Sequence, residues 1–191
     1  PVKTISSKRG YTLIELLVSI LITGIMSAAG FEFYVRMHNQ ALAQEGISDM
    51  QQASTACLQE MVKTIRQAGY MIGSHVPYVI NGDSIYVFYS ETQAVDTILY
   101  YLEDYRDGEL SGNVTYPEAQ RPKKLMRKIN GDTPCIFSDN INDITIDAPD
   151  ATSITIDLVA QTMTPDEDYP DNGGFRFYPS SESIVLRNLR L

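Results

Sequence analysis

Residues 16–31 run for 16 positions without a charge, and that stretch leaves the chain few options. As a helix it is about 24 Å long at 1.5 Å per residue, against a bilayer hydrocarbon core of roughly 30 Å. It predicts a segment that is buried in lipid or inside an assembly. Immediately before it stands Glu15, the one charge between Arg9 and Glu32. A carboxylate at the edge of a hydrocarbon-length helix costs roughly a few kcal/mol on insertion scales unless it is neutralised or paired. Glu15 is therefore a functional candidate. Ahead of it Lys3, Lys8 and Arg9 make a basic leader, which holds the N-terminus in the cytoplasm while the rest of the chain crosses.

Gly10, Tyr11, Thr12, Leu13, Ile14, Glu15 and Leu16 resemble the processing site of type IV pilins and type II secretion pseudopilins. The resemblance implies that prepilin peptidase cuts between Gly10 and Tyr11 and methylates the new N-terminus. It also implies that Glu15, then the fifth residue, guides filament assembly. Two features depart from the usual pattern. Tyr11 stands where most members have phenylalanine, and no proline lies between Tyr11 and His75, although many major pilins carry one in the first helix. Gly24 and Gly30 are the weak points of that segment. The same residues have a plainer reading, because the leader, the apolar run and Ser27-Ala28-Ala29 also fit a secretory signal peptide cut after Ala29. Glu15 argues against it by interrupting the apolar region.

This gives a layout of a cleaved leader at 1–10, a transmembrane or filament-core helix half at 11–32, and a globular head at 33–191. Losing the leader removes three cations and no acid, which takes the formal net charge from −9 to −12. Such acidity disfavours nucleic-acid binding, since Lys and Arg neutralising phosphates supply most of that affinity.

Past the membrane segment Ile47, Met50, Ser54, Cys57, Leu58, Met61, Val62 and Ile65 recur at three- and four-residue steps and form one amphipathic face. The helix is expected to run from Tyr11 to about Ala68, roughly 87 Å at 1.5 Å per residue. Gly69 is a natural stop. Arg66-Gln67-Ala68-Gly69-Tyr70 resembles the R-x-A-G-Y segment that closes the long helix in PilW-type minor pilins. Those chains also tend to end in an arginine-asparagine strand like Val185-Leu186-Arg187-Asn188. The J-type minor pseudopilin of type II secretion shares much of this layout.

The remainder reads as β-rich, with expected strands at 84–90, 96–102, 125–129, 141–147, 153–160 and 184–189. An Asn81-Gly82-Asp83 turn signal precedes the first of them. Several strands after one helix predict an α+β class: a pilin-like long N-terminal helix packed on an antiparallel sheet. Tyr86, Tyr89, Tyr100, Tyr101 and Tyr105 cluster on these strands, where alternation divides them between core and surface.

Four further features bear on chemistry. Cys57 and Cys135 lie in the part expected outside the cytoplasm, where a disulfide fastening sheet to helix is one reading and two free buried thiols the other. His38 and His75 lack metal-ligand spacing. Asp166, Asp168 and Asp171, with Glu167 and Asn172, supply the oxygen ligands calcium prefers, without EF-hand spacing. A solvated turn is the simpler account and a bound calcium the alternative, and no other cofactor is expected. Arg121, Lys123, Lys124, Arg127 and Lys128 form the one basic cluster. Strand geometry splits it, with Lys124, Met126 and Lys128 on one face and Lys123, Leu125 and Arg127 on the other. Neither a G-x-S-x-G elbow nor a phosphate loop occurs, nor any cysteine-histidine pairing, so no enzyme is expected.

The function the resemblance implies is that of a minor pilin, held in the inner membrane with a periplasmic head and then carried to the pilus and cell surface. It would prime filament assembly at or near the tip. Expected partners are other minor and major pilins, prepilin peptidase, the inner-membrane assembly platform and, before assembly, lipid. The alternatives are the J-type pseudopilin and a tip-exposed adhesin or DNA-uptake module.

Overall fold

With no proline to break it, the first third of the chain forms one helix, α1 (Leu13–Arg66). The computed structural model describes residues 10–73, 75–92, 94–106, 109–110, 114, 116–166 and 168–188, so Lys3, Lys8 and Arg9 lie outside the described residues. The helix starts two residues later than Tyr11 because Thr12 is spent as its cap, and it ends two before Ala68.

The chain divides within α1 into two compact units, residues 1–44 and 45–191. In the first unit every described residue from Gly10 to Leu42 is exposed, the apolar run included. The polar atoms inside that run are bonded locally. Ser19 Oγ donates to the Glu15 carbonyl and Thr23 Oγ1 to the Ser19 carbonyl, each at 2.7 Å. Such back-bonding lets hydroxyls sit in an apolar medium. The run ends where Arg36 pairs with Glu32 one turn earlier at 2.7 Å. α1 is long and apolar enough to cross a membrane.

In the second unit the helix buries Met50, Ser54, Cys57, Leu58, Met61, Val62, Thr64 and Ile65. This is the amphipathic face read from the sequence, with Ile47 partly buried at its edge and Thr64 added. It packs on a seven-stranded sheet in the order β1-β2-β3-β4-β5-β6-β7, antiparallel at every pairing. The strands are β1 (Tyr78–Asn81), β2 (Ser84–Tyr89), β3 (Asp96–Asp104), β4 (Lys123–Ile129), β5 (Cys135–Asp150), β6 (Ser153–Gln161) and β7 (Phe177–Val185). A meander of this kind needs only short connections, which suits the Asn81-Gly82-Asp83 signal between β1 and β2.

The core lies between helix and sheet. Ile85 and Val87, Ile98 and Tyr100, Leu125, Ile144 and Ile146, Ile154, Ile156 and Leu158, and Ile184 all turn inward. Each fully buried aliphatic side chain is worth about 1.5–3 kcal/mol. Tyr100 is fully buried, and its hydroxyl shares a 3.1 Å hydrogen bond with Thr64 Oγ1 on the helix. Ser54 Oγ and Ser180 Oγ make a second polar contact between helix and sheet, at 2.9 Å.

Three strands differ from expectation, and of these β5 (Cys135–Asp150) overruns its expected 141–147 at both ends. β1 is absent from the sequence reading because four residues give no usable periodicity. β7 occupies 177–185 rather than 184–189, and Leu189 lies outside the described residues. Its Pro179, Ser180, Ser181 and Ser183 have little intrinsic strand tendency, and nine paired positions against β6 impose the extended form.

Candidate functional site

The processing motif is built around a helix start. Thr12 Oγ1 accepts from the Glu15 backbone N–H at 3.2 Å, and Glu15 Oε2 accepts from the Thr12 backbone N–H at 2.9 Å and from Thr12 Oγ1 at 3.1 Å. This is a reciprocal capping box, which satisfies donors that a helix start otherwise leaves open. Glu15 thus has a local partner, and only one of its carboxylate oxygens is used by it. The T-x-x-E spacing before an apolar run is a capping signal written in the sequence, and it gives Thr12 a role beside Glu15. Tyr11 stands 90% exposed, and a Cβ built on Gly10 meets nothing within 4 Å. The fold itself therefore does not require glycine at position 10.

The helix exit is the second constellation. Arg66, Ala68 and Gly69 come together with Asn188 although the sequence sets them far apart. Asn188 Nδ2 donates to the Arg66 carbonyl at 3.3 Å and so satisfies one of the open acceptors at the end of α1. Ala68 is fully buried. Gly69 adopts φ +81, donates to the Phe88 carbonyl at 2.9 Å, and leaves only 3.0 Å between a built Cβ and the Asn188 carbonyl oxygen. Only glycine fits both the left-handed backbone and that approach. Ser90 then donates to the Tyr70 carbonyl at 2.9 Å, which fixes the chain against β2. The R-x-A-G-Y and Arg187-Asn188 segments thus meet as one structural joint.

The remaining candidates are dispersed. Cys57 and Cys135 are both free. Cys57 is buried in the helix–sheet core, where burial pushes its thiol up to about 12. Cys135 is exposed at the start of β5, and its Sγ donates to the Arg127 carbonyl at 3.4 Å. In this structure the two thiols sit in different surroundings, Cys57 buried and Cys135 exposed.

Of the acidic loop, Asp166 is already occupied. Its Oδ2 accepts from Arg176 Nη2 at 2.7 Å and Nε at 3.0 Å, and its Oδ1 from the Asp168 backbone N–H at 3.0 Å. Arg176 lies over the Tyr169 ring, 4.4 Å from its centroid, and holds the Asp166 carboxyl below the usual aspartate range. Asp168 and Asp171 are exposed and Glu167 lies outside the described residues. Among the described residues no three His, Cys, Asp or Glu side chains gather as a metal site.

The basic cluster splits as strand geometry predicts. Lys124, Met126 and Lys128 stand opposite Glu103, Tyr101 and Leu99, while Leu125 and Arg127 face the helix side. Lys124 is buried in an ion pair with Glu109 and lies 4.7 Å from the Tyr105 ring centroid. Arg127 covers Phe137 at 5.1 Å. Burial is the main cause that pushes the Tyr105 hydroxyl up to about 12, and this hydroxyl donates to the Asp139 carbonyl at 2.7 Å.

A family model described as the prokaryotic N-terminal methylation motif matches residues 5–31. Over these residues the chain resembles type IV pilins and pseudopilins. The matched residues span the Gly10–Glu15 motif, the capped helix start and the whole uncharged run at 16–31. That similarity covers pilins and pseudopilins alike, proteins processed by prepilin peptidase. Comparison with curated proteins and with solved structures gives no match. The helix-plus-antiparallel-sheet architecture agrees with the pilin-like α+β expectation, and the exposed apolar helix fits a membrane anchor carrying a soluble head.

Proposed function

We propose that this pilin-like protein is a non-enzymatic minor subunit of a type IV pilus, cut after Gly10, methylated on Tyr11, and active in priming filament assembly at or near the tip. The observation that carries the reading is the unbroken exposure of residues 10–42 behind the Gly10–Glu15 motif. So large an apolar surface is not sustained in water. Lipid covers it before assembly, and the helices of neighbouring subunits cover it afterwards.

Glu15 then has two roles. Its Oε2 closes the capping box with Thr12, and its charge pairs with a cation of a neighbouring subunit, the α-amino group freed by cleavage being the nearest source in such a bundle. In a water-poor layer that pairing offsets the cost of the carboxylate. The substitution Glu15→Gln separates the roles, because glutamine also closes a capping box but carries no charge.

The test combines intact mass with incorporation into filaments. A chain beginning at Tyr11 with one added methyl, with Glu15→Gln and Glu15→Ala both inserting in the membrane but entering filaments poorly, supports the proposal. A chain beginning at Gly30, or normal incorporation of Glu15→Gln, overturns it.

A further inference from the structure

Among the described residues the sheet has two open edges, and they differ. β1 spans four residues, whereas β7 spans nine. The β6–β7 register fixes which backbone groups of β7 remain open. Thr162 N–H donates to the Arg176 carbonyl at 3.0 Å and Leu186 N–H to the Thr152 carbonyl at 2.8 Å, at the two ends of one unshifted ladder. Antiparallel bonding alternates, so Tyr178, Ser180, Glu182 and Ile184 turn their N–H and C=O groups to β6. Phe177, Pro179, Ser181, Ser183 and Val185 turn theirs outward.

Pro179 sits in the outward set, where its missing N–H breaks no ladder bond. It blunts only the start of the edge. Ser181, Ser183 and Val185 are exposed, and among the described residues no backbone bond reaches their N–H groups. Natural proteins cover or blunt so long an edge.

Beside this edge runs a groove of about 710 Å³ between β7 and α1. Leu58, Val62 and Tyr178 give it an apolar floor, Lys63 and Arg66 stand on the helix side, and Glu182 stands on the strand side. Arg66 has no ion pair among the described residues, and Lys63 reaches only Glu60, at 3.7 Å. We propose that the β7 edge takes an additional strand from another protein, an extended segment whose groove-facing side chains alternate apolar and acidic. The backbone supplies affinity, as in other strand additions, and two cations against one carboxylate select the acid.

A second copy of this chain fits poorly. Antiparallel self-pairing centred on Glu182 sets two Glu182 carboxylates opposite each other, which is unfavourable. Centred on Ser181 it calls on the N–H that Pro179 lacks. Centred on Ser183 it sets Glu182 against Ile184 and leaves the carboxylate beside an aliphatic side chain.

The test uses the full chain in detergent with two synthetic probes, each alternating valine and threonine, one carrying aspartates and the other lysines at groove-facing positions. Hydrogen exchange should slow at the Ser181, Ser183 and Val185 amides with the acidic peptide only, while Ile184, already in the ladder, stays as it was. Ser183→Pro, at the same parity as Pro179, should weaken binding about fivefold or more, the loss expected for one backbone bond. Ser183→Ala should not. Lys63→Glu combined with Arg66→Glu should invert the preference between the peptides, and it tests the charge argument without touching the strand. Equal protection by both peptides, protection elsewhere, or no protection overturns the proposal. So does a dimer cross-linked through Ser183→Cys in a Cys135→Ser background. Binding in detergent needs no N-terminal processing, so failure here leaves the filament reading intact, and the converse also holds.

Discussion

Replacing Gly69 with alanine tests whether the joint at the end of α1 is a packing requirement or only a turn. Two costs arise at that position. A side chain at φ +81 occupies left-handed backbone at about 1–2 kcal/mol. The built Cβ also lies 3.0 Å from the Asn188 carbonyl oxygen and 3.3 Å from Pro77 Cβ, so backbone on one side and a ring on the other must give. We expect a total of about 2–3 kcal/mol. Gly131 is the matched control, with φ +82 and nothing within 4 Å of its built Cβ. It should show the backbone cost alone. Thermal unfolding of the full chain in detergent, followed by its near-ultraviolet tyrosine signal, reads both variants. At about 2–4 °C per kcal/mol for a chain of this size, Gly69→Ala should melt about 4–12 °C lower. It should exceed Gly131→Ala by about 1 kcal/mol. Equal losses in the two variants would refute the close-approach argument, and no loss in either would refute the backbone argument as well.

Thiol chemistry and acid titration test two other sites. At pH 8 the native chain should take up one equivalent of iodoacetamide, at exposed Cys135, because the Cys57 thiol is buried and pushed up to about 12. A denatured chain should take up two, and two in the native state would contradict the burial of Cys57. Asp166 has its folded pKa lowered, chiefly by Arg176. Its contribution is therefore present above the ordinary value of 3.8 and lost as pH falls through the lower folded value. The melting temperatures of wild type and Asp166→Asn should differ at pH 6, and the difference should shrink as the pH is taken below 3.8. A difference that stays constant across that range would remove Arg176 as the cause.

Local periodicity and chemistry made much of this protein legible in its sequence. The absence of proline and the three- and four-residue apolar spacing from Ile47 to Ile65 fixed the helix and its buried face, since both follow from one helical period. Ile154, Ile156 and Leu158 betrayed the core face of β6 by alternation. The Gly10–Glu15 motif likewise depends on residue types and spacing alone. Other features came from partners distant in the chain. Ser180, Ser181 and Ser183 became a strand because β6 lies beside them, and the register with β6 chose which of their amides face outward. Asp166 pairs with Arg176, ten residues on, by a contact that no local spacing announces. Gly69 looked like a stop signal, and only the fold brought Asn188 against it. A helix or strand period is written along the chain, whereas the meeting of residues 69 and 188 is decided by how the packed sheet returns the C-terminal segment to the helix exit.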